Sequence, residues 1–230
     1  MRISIIAAMV LMAIAAPAAM AAVDLAALKT SADTAVSAAL ASPGDYAANW
    51  KASKALRDYC DRMEKDNVQG WKDVLKVQAK QGMKFAEIAQ KINPSGIEGW
   101  YYYGLCVGDY SDSVSIVTAL FEGLKDKTQL GFENAYKFDK SYDDYGPVLA
   151  LGRFWQVLPS VAGRDLKKAE TLFAEYLAAM GSKPGVDSDI WRFRGELYRD
   201  TGRKDEARAD FQKAAAMGNK DAAKDLADLK

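Results

Sequence analysis

The chain has 230 residues, of which 50% are apolar and 27% charged, enough to bury a sizeable core and unlike the composition of a disordered segment. Its 31 basic and 31 acidic residues cancel, which argues against a nucleic-acid binder or a protein held to an anionic membrane surface by charge. There is no histidine, which removes imidazole-activated nucleophiles, histidine general bases and histidine-ligated zinc, so no catalytic residue, cofactor or metal site is expected.

Residues 1–22 carry a single charge, Arg2, ahead of an apolar run from Ile3 to Ala16, then Pro17 and the small-x-small triplet Ala19-Met20-Ala21. That layout predicts a secretory signal peptide over 1–21 with cleavage before Ala22, since the run is too short to span a bilayer. No cysteine stands near that point to accept a lipid, so the processed chain is expected to be periplasmic, without a membrane span, and to carry a net charge of about −1.

Beyond the leader, apolar residues recur three and four apart without sustained alternation, the period of helices. Breaks fall at Pro43-Gly44, Asn93-Pro94-Ser95-Gly96, Tyr145-Gly146-Pro147, Pro159, Gly181 and Pro184-Gly185. The spacing predicts helices over 23–41, 44–64, 68–92, 97–108, 113–125, 128–139, 146–157, 165–180, 188–200, 204–217 and 220–229. Most are joined in pairs by short connections, the rhythm of stacked helical hairpins. The expected architecture is therefore an all-α solenoid with an N-terminal capping helix over 22–43 and a repeat domain over 44–217. An insertion at about 109–127 interrupts the repeats, and a polar-backed cap over 218–230 closes them, with Ala222, Leu226 and Leu229 as its apolar stripe.

The clearest unit is Trp191, Gly195 and Tyr198 followed by Ala207, Phe211 and Ala214. It resembles the tetratricopeptide repeat, W-x2-L-G-x2-Y then A-x3-F-x2-A, departing only where Arg194 replaces the leucine. The spacing has a packing cause, because Gly195 lets the second helix of a hairpin approach the first closely. Val148, Leu151, Gly152 and Trp155 with Ala169 and Phe173 repeat the pattern with five extra residues in the turn. Trp100, Tyr103, Gly104 and Val107 with Phe132 and Ala135 repeat it around the insertion, and Trp50, Ala55 and Tyr59 with Ala86, Ala89 and Pro94 form a looser first unit.

Ser141-Tyr142-Asp143-Asp144-Tyr145-Gly146-Pro147, then Leu151-Gly152-Arg153, the inserted turn from Leu158 to Asp165 and Lys167-Lys168-Ala169 are similar to a narrower branch. This is the T-component family associated with tripartite ATP-independent periplasmic (TRAP) transporters. The likeness covers about residues 45 to 217 and implies an exported helical-repeat protein that partners a solute-binding protein and handles apolar or small organic ligands. The chain departs from that family in lacking the lipid-anchoring cysteine.

The first helices of such hairpins line a concave wall. One position from each core stripe lie Tyr101, Tyr102 and Leu105, then Leu149, Arg153 and Gln156, then Arg192, Glu196 and Arg199, a wall aromatic at one end and basic at the other. The arginines suit a carboxylate through bidentate hydrogen bonds and the tyrosines offer flat contact area, while ordinary salt bridges on a solvated face account for the same residues. The function expected is recognition of a periplasmic protein partner, with an accessory role in solute uptake. The alternative is a carrier whose small apolar or organic-acid ligand lies under the 113–125 helix.

That helix carries Val117, Leu120, Phe121 and Leu124, a stripe that packs within the chain, walls a ligand pocket, or meets another copy in a homo-oligomer. The carboxylate pairs Asp109 with Asp112, Asp143 with Asp144 and Asp187 with Asp189 read as helix caps rather than as an acid/base pair acting on cell-wall polymer. Cys60 and Cys106 either form one bridge in an oxidising compartment or stand as separate small hydrophobes.

Overall fold

The computed structural model describes residues 16–229, with side chains from residue 25 onward, so the leader expected over 1–21 falls outside the residues whose side chains are described. Among the described residues there are eleven α-helices and no strand: α1 (Ala16–Ala41), α2 (Tyr46–Lys65), α3 (Trp71–Ile92), α4 (Ile97–Ser113), α5 (Ile116–Phe121), α6 (Leu124–Asp139), α7 (Tyr142–Val157), α8 (Leu166–Met180), α9 (Asp189–Asp200), α10 (Lys204–Ala216) and α11 (Lys220–Asp228). None of them is long and apolar enough to cross a membrane.

The hairpins α2/α3, α4/α6, α7/α8 and α9/α10 stack in order, with α1 against α2 and α11 against α10. Their first helices touch in sequence, α2 to α4, α4 to α7 and α7 to α9, and make the inner layer of an α-solenoid.

One contact repeats through three hairpins. A methyl group added at Gly104, Gly152 or Gly195 would stand 2.6, 2.7 and 2.7 Å from the rings of Phe132, Phe173 and Phe211 respectively. The second helix thus lays a phenylalanine directly on first-helix backbone, which only glycine allows at this distance. In the first hairpin Ala52 and Phe85 share a core cluster. Arg194, the one departure from the repeat pattern in the last hairpin, makes a two-pronged pair with the buried Asp210 on α10 at 2.7 and 2.8 Å, with its guanidinium over the rings of Trp191 and Tyr198. A leucine's packing role has been exchanged for a charge pair whose partner lies sixteen residues away.

One expectation is corrected. The helix expected over 113–125 does not form as one piece: α4 runs on to Ser113, α5 is a short helix capped by the Ser115 hydroxyl, and Gly123 at φ 64 turns the chain into α6. Leu124 is consequently buried in the core, while Val117, Leu120 and Phe121 are 72%, 58% and 92% exposed, so the stripe neither packs within the chain nor roofs a pocket. Within the α7 span Asp143, Asp144 and Tyr145 have φ 50, 52 and 64, three successive residues in the left-handed region, so the right-handed helix begins at Gly146, where it was expected. Each costs about 1–2 kcal/mol of backbone strain. Of the two readings of the cysteines, the structure has the second: Cys60 and Cys106 are free buried thiols in one core cluster, and burial pushes both thiols' pKa values up, Cys106 to about 12.

Candidate binding cleft

The expected basic wall is compensated along its whole length. Arg153 on α7 pairs with Glu196 on α9, donates to Gln156 Oε1 at 3.0 Å and lies over the Phe193 ring. Gln156 is itself buried and donates to the Phe193 carbonyl at 2.7 Å. Arg192 is shared among Asp225 at 3.0 Å, Glu196 at 3.2 Å and Asp221 at 3.3 Å, and Arg199 reaches Asp225 at 3.2 Å. Three arginines thus meet three carboxylates supplied by α9 and the capping helix α11, an arrangement that ties α7, α9 and α11 together.

The aromatic end is corrected as well. Tyr101 and Tyr102 are 6% and 2% exposed, with Tyr102 stacked on Trp50 at 5.9 Å and both rings edge-on to Tyr142. The flat faces expected to contact a partner are spent on the joints between α2, α4 and α7, and Leu105 and Leu149 pack in or against the same core. The hydroxyl of Tyr101 differs from the ring: it takes part in no hydrogen bond among the described residues and lies in the field of Arg57, Asp143 and Asp187.

The inner layer has an acidic stretch that the sequence reading did not assemble. On α2, Arg57, Asp61 and Glu64 share one face by their three- and four-residue spacing. Asp109 and Asp112, read as caps, instead lie within α4 because that helix extends to Ser113, and they face α2. Asp187 and Asp189 arrive from the start of α9, where Lys65 of α2 stands 3.8 Å from Asp189.

Within this cleft Arg57 and Lys65 are shared among several carboxylates. Arg57 pairs with Asp61 at 3.0 Å and stands 3.9 Å from Asp58, while Lys65 is 3.3 Å from Asp61. Among the described residues, Glu64, Asp109 and Asp112 take no side-chain hydrogen bond and no ion pair. They do feel one another: burial raises the pKa of Asp109 to about 8, with Asp61, Asp112 and Glu64 adding to the rise and Arg57 opposing it. Burial likewise raises Glu64 to about 7, with Asp112 and Asp61 adding. Asp109 Oδ2 and Arg57 Nε are sealed from solvent without a partner, whereas Asp112 and Asp187 are exposed at the rim. The cleft therefore carries excess negative charge, the opposite sign to the expected wall. The signal available in the sequence was the three- and four-residue acidic spacing on α2 and α4; their juxtaposition was not.

A second hollow, an open trough of about 740 Å³ between α1 and α2, is lined mainly by small residues such as Ala27, Ser31, Ala35 and Ala38. Lys51 and the Lys54–Asp58 ion pair line its α2 side.

The fold and the stacked glycine–phenylalanine hairpins define a tetratricopeptide-type α-solenoid. Comparison with solved structures agrees: a thermophilic TPR protein of Thermus thermophilus superposes over 88% of this chain and 98% of its own, at 19% identity and a TM-score of 0.52. A tetratricopeptide repeat protein from Parabacteroides merdae aligns over 90% of this chain and 93% of its own at 16% identity, with a TM-score of 0.31. No family profile and no curated protein sequence matches the chain. What is shared with the Thermus protein is the fold, and the narrower likeness to the T-component family stands on the sequence motifs alone.

Proposed function

We propose that this chain is an exported, non-enzymatic binding scaffold that receives a segment of a partner protein along its inner face, at the cleft between α2, α4, α7 and the start of α9. Export rests on the Arg2 to Ala21 leader pattern, and a solute-binding protein of a periplasmic uptake system is the candidate partner on the sequence resemblance. One observation carries the reading: the inner layer holds Asp109, whose Oδ2 is sealed without a hydrogen-bond partner, beside Glu64, both raised in pKa by burial and by neighbouring carboxylates. Elsewhere α5 presents exposed apolar residues, Ile116, Val117, Leu120 and Phe121.

The test is position-specific photo-crosslinking in the compartment where the protein resides. A crosslinker at Asp187, exposed at the cleft rim, is expected to trap one discrete partner, whereas one at Gln212, exposed on α10, traps none. Crosslinks from Gln212 alone, or equally from both positions, would sink the inner-face reading.

A further inference from the structure

We propose that one edge of the solenoid, where the α4–α6 and α7–α8 connections project, docks on an anionic lipid surface, with Val117, Leu120, Phe121 and Val161 entering the acyl boundary and Lys127 and Lys167 meeting the headgroups. This edge is separate from the inner cleft.

The first support is placement. Helices α4 and α7 lie side by side in the inner layer and each is followed by its returning second helix, so the connections over 114–123 and 158–165 leave the solenoid at the same edge. The other two turns of that edge, 66–70 and 201–203, are short. The three most exposed large apolar side chains among the described residues, Phe121, Val161 at 87% and Val117, all stand on these two connections, with Ile116, Leu120 and Val157 exposed beside them. Apolar side chains gathered on one projecting edge, rather than scattered singly, mark an interaction surface.

The second support is that the exposure is built into the fold. The Ser115 hydroxyl caps α5, Ala119 packs against the core cluster around Cys106 and Tyr110, and Glu122 accepts a hydrogen bond from the Tyr110 hydroxyl at 3.0 Å and stands 3.6 Å from Lys80. The helix is thereby held with its apolar side outward. Its hydroxyls are spent locally, Ser115 Oγ and Thr118 Oγ1 being bonded to each other at 3.0 Å. A raised row of apolar side chains with its polar groups already matched suits the acyl boundary of a bilayer, where unmet polar groups are costly.

The third support is charge complementarity. The first turn of a helix favours acids, yet α8 opens with Lys167 and Lys168 and no acid, and α6 carries Lys125 and Lys127 around Asp126. Among the described residues Lys127 and Lys167 take no ion pair, whereas Glu122 is answered by Lys80, Asp126 by Lys125 and Asp200 by Arg164, and Asp165 caps α8. Asp112, at the end of α4, lies in the field of Arg153 and Lys72. The charges of the whole chain cancel, so the apolar side chains lead and the lysines select an anionic surface.

The test places an environment-sensitive fluorophore at one position at a time in the full chain, through Val117→Cys, Val161→Cys or Gln212→Cys, and adds vesicles of phosphatidylcholine with or without phosphatidylglycerol. Cys60 and Cys106 are fully buried, so labelling falls on the introduced thiol. Each label reports its own surroundings, so attachment through any other part of the chain leaves positions 117 and 161 unchanged. Expected are a blue shift and a rise in emission at 117 and 161 on the anionic vesicles, with no change at 212, which is exposed midway along α10. Apparent affinity is expected to be roughly tenfold weaker on phosphatidylcholine alone and to fall by about the same factor in Lys127→Glu/Lys167→Glu. Read from the label at 161, Phe121→Glu is expected to weaken docking by roughly ten- to a hundredfold while keeping the circular dichroism of the parent, because the ring is almost fully exposed. Unchanged emission at 117 and 161, an equal response at 212, or undiminished docking by Phe121→Glu would each overturn the lipid-facing edge. So would a blue shift at 117 that appears without vesicles and grows with protein concentration, which would assign the edge to a second copy of the chain.

Discussion

The two ends of the inner layer treat charge in opposite ways. At the C-terminal end, Arg153, Arg192 and Arg199 are each answered by Glu196, Asp221 or Asp225, and the result is a brace across α7, α9 and α11. At the α2/α4 end, burial and neighbouring carboxylates raise Glu64 and Asp109, and Arg57 offsets them only in part. Both ends use the same hairpin packing, Gly104 beneath Phe132 at one and Gly195 beneath Phe211 at the other, so the difference does not arise from the fold. It shows that the repeat fixes backbone spacing and leaves the inner face free to be closed by its own ion pairs or left open for something else.

The largest effect expected tests the shared packing. Phe211→Ala empties a fully buried site over Gly195 and is expected to cost about 3–5 kcal/mol in denaturant unfolding, with Phe132→Ala over Gly104 costing a similar amount. A much smaller loss at Phe132 would mean that the two ends are not packed alike. Next, Asp210→Ala leaves Arg194 without its two-pronged partner in a largely buried place, and a loss of about 2–4 kcal/mol is expected in the same measurement.

The contrast in charge predicts a pH response peculiar to the acidic end. Asp109 and Glu64 have folded-state pKa values raised to about 8 and about 7, so the native state binds more protons than the unfolded one above about pH 4. Stability supplied by their protonated forms is therefore present at mildly acidic pH and lost as the pH rises toward 8. The melting temperature is expected to fall by a few degrees between pH 5 and pH 9, and Asp109→Asn to flatten that slope; a slope unchanged by the substitution would remove the acidic end's distinctiveness. Smallest is the effect of cutting the exposed side of the brace: Asp221→Ala is expected to change stability by about 0–1 kcal/mol, because Arg192 keeps Asp225 and Glu196.

Much of the fold was legible before any coordinates. Trp191, Gly195, Ala207 and Phe211 stand at fixed intervals because a close helical hairpin demands them, and intervals are a property of sequence. The α5 region was misread because the Val117, Leu120, Phe121 and Leu124 spacing fits one helix, whereas Gly123 adopts a left-handed turn and sends Leu124 alone into the core. The left-handed run at Asp143 to Tyr145 carried a turn signal only at Gly146-Pro147, and non-glycine residues give little warning of positive φ.

The sequence by itself determined that this protein is helical, that its helices pair, and which small and aromatic residues face one another, since periodicity follows from the geometry of one helix and its neighbour. Only the tertiary structure decided the sign and availability of charge on the inner face. Arg192 meets Asp225 thirty-three residues away, while Glu64 and Asp109 converge from different hairpins. Electrostatic compensation depends on distances between elements far apart in the chain, and no local spacing encodes them.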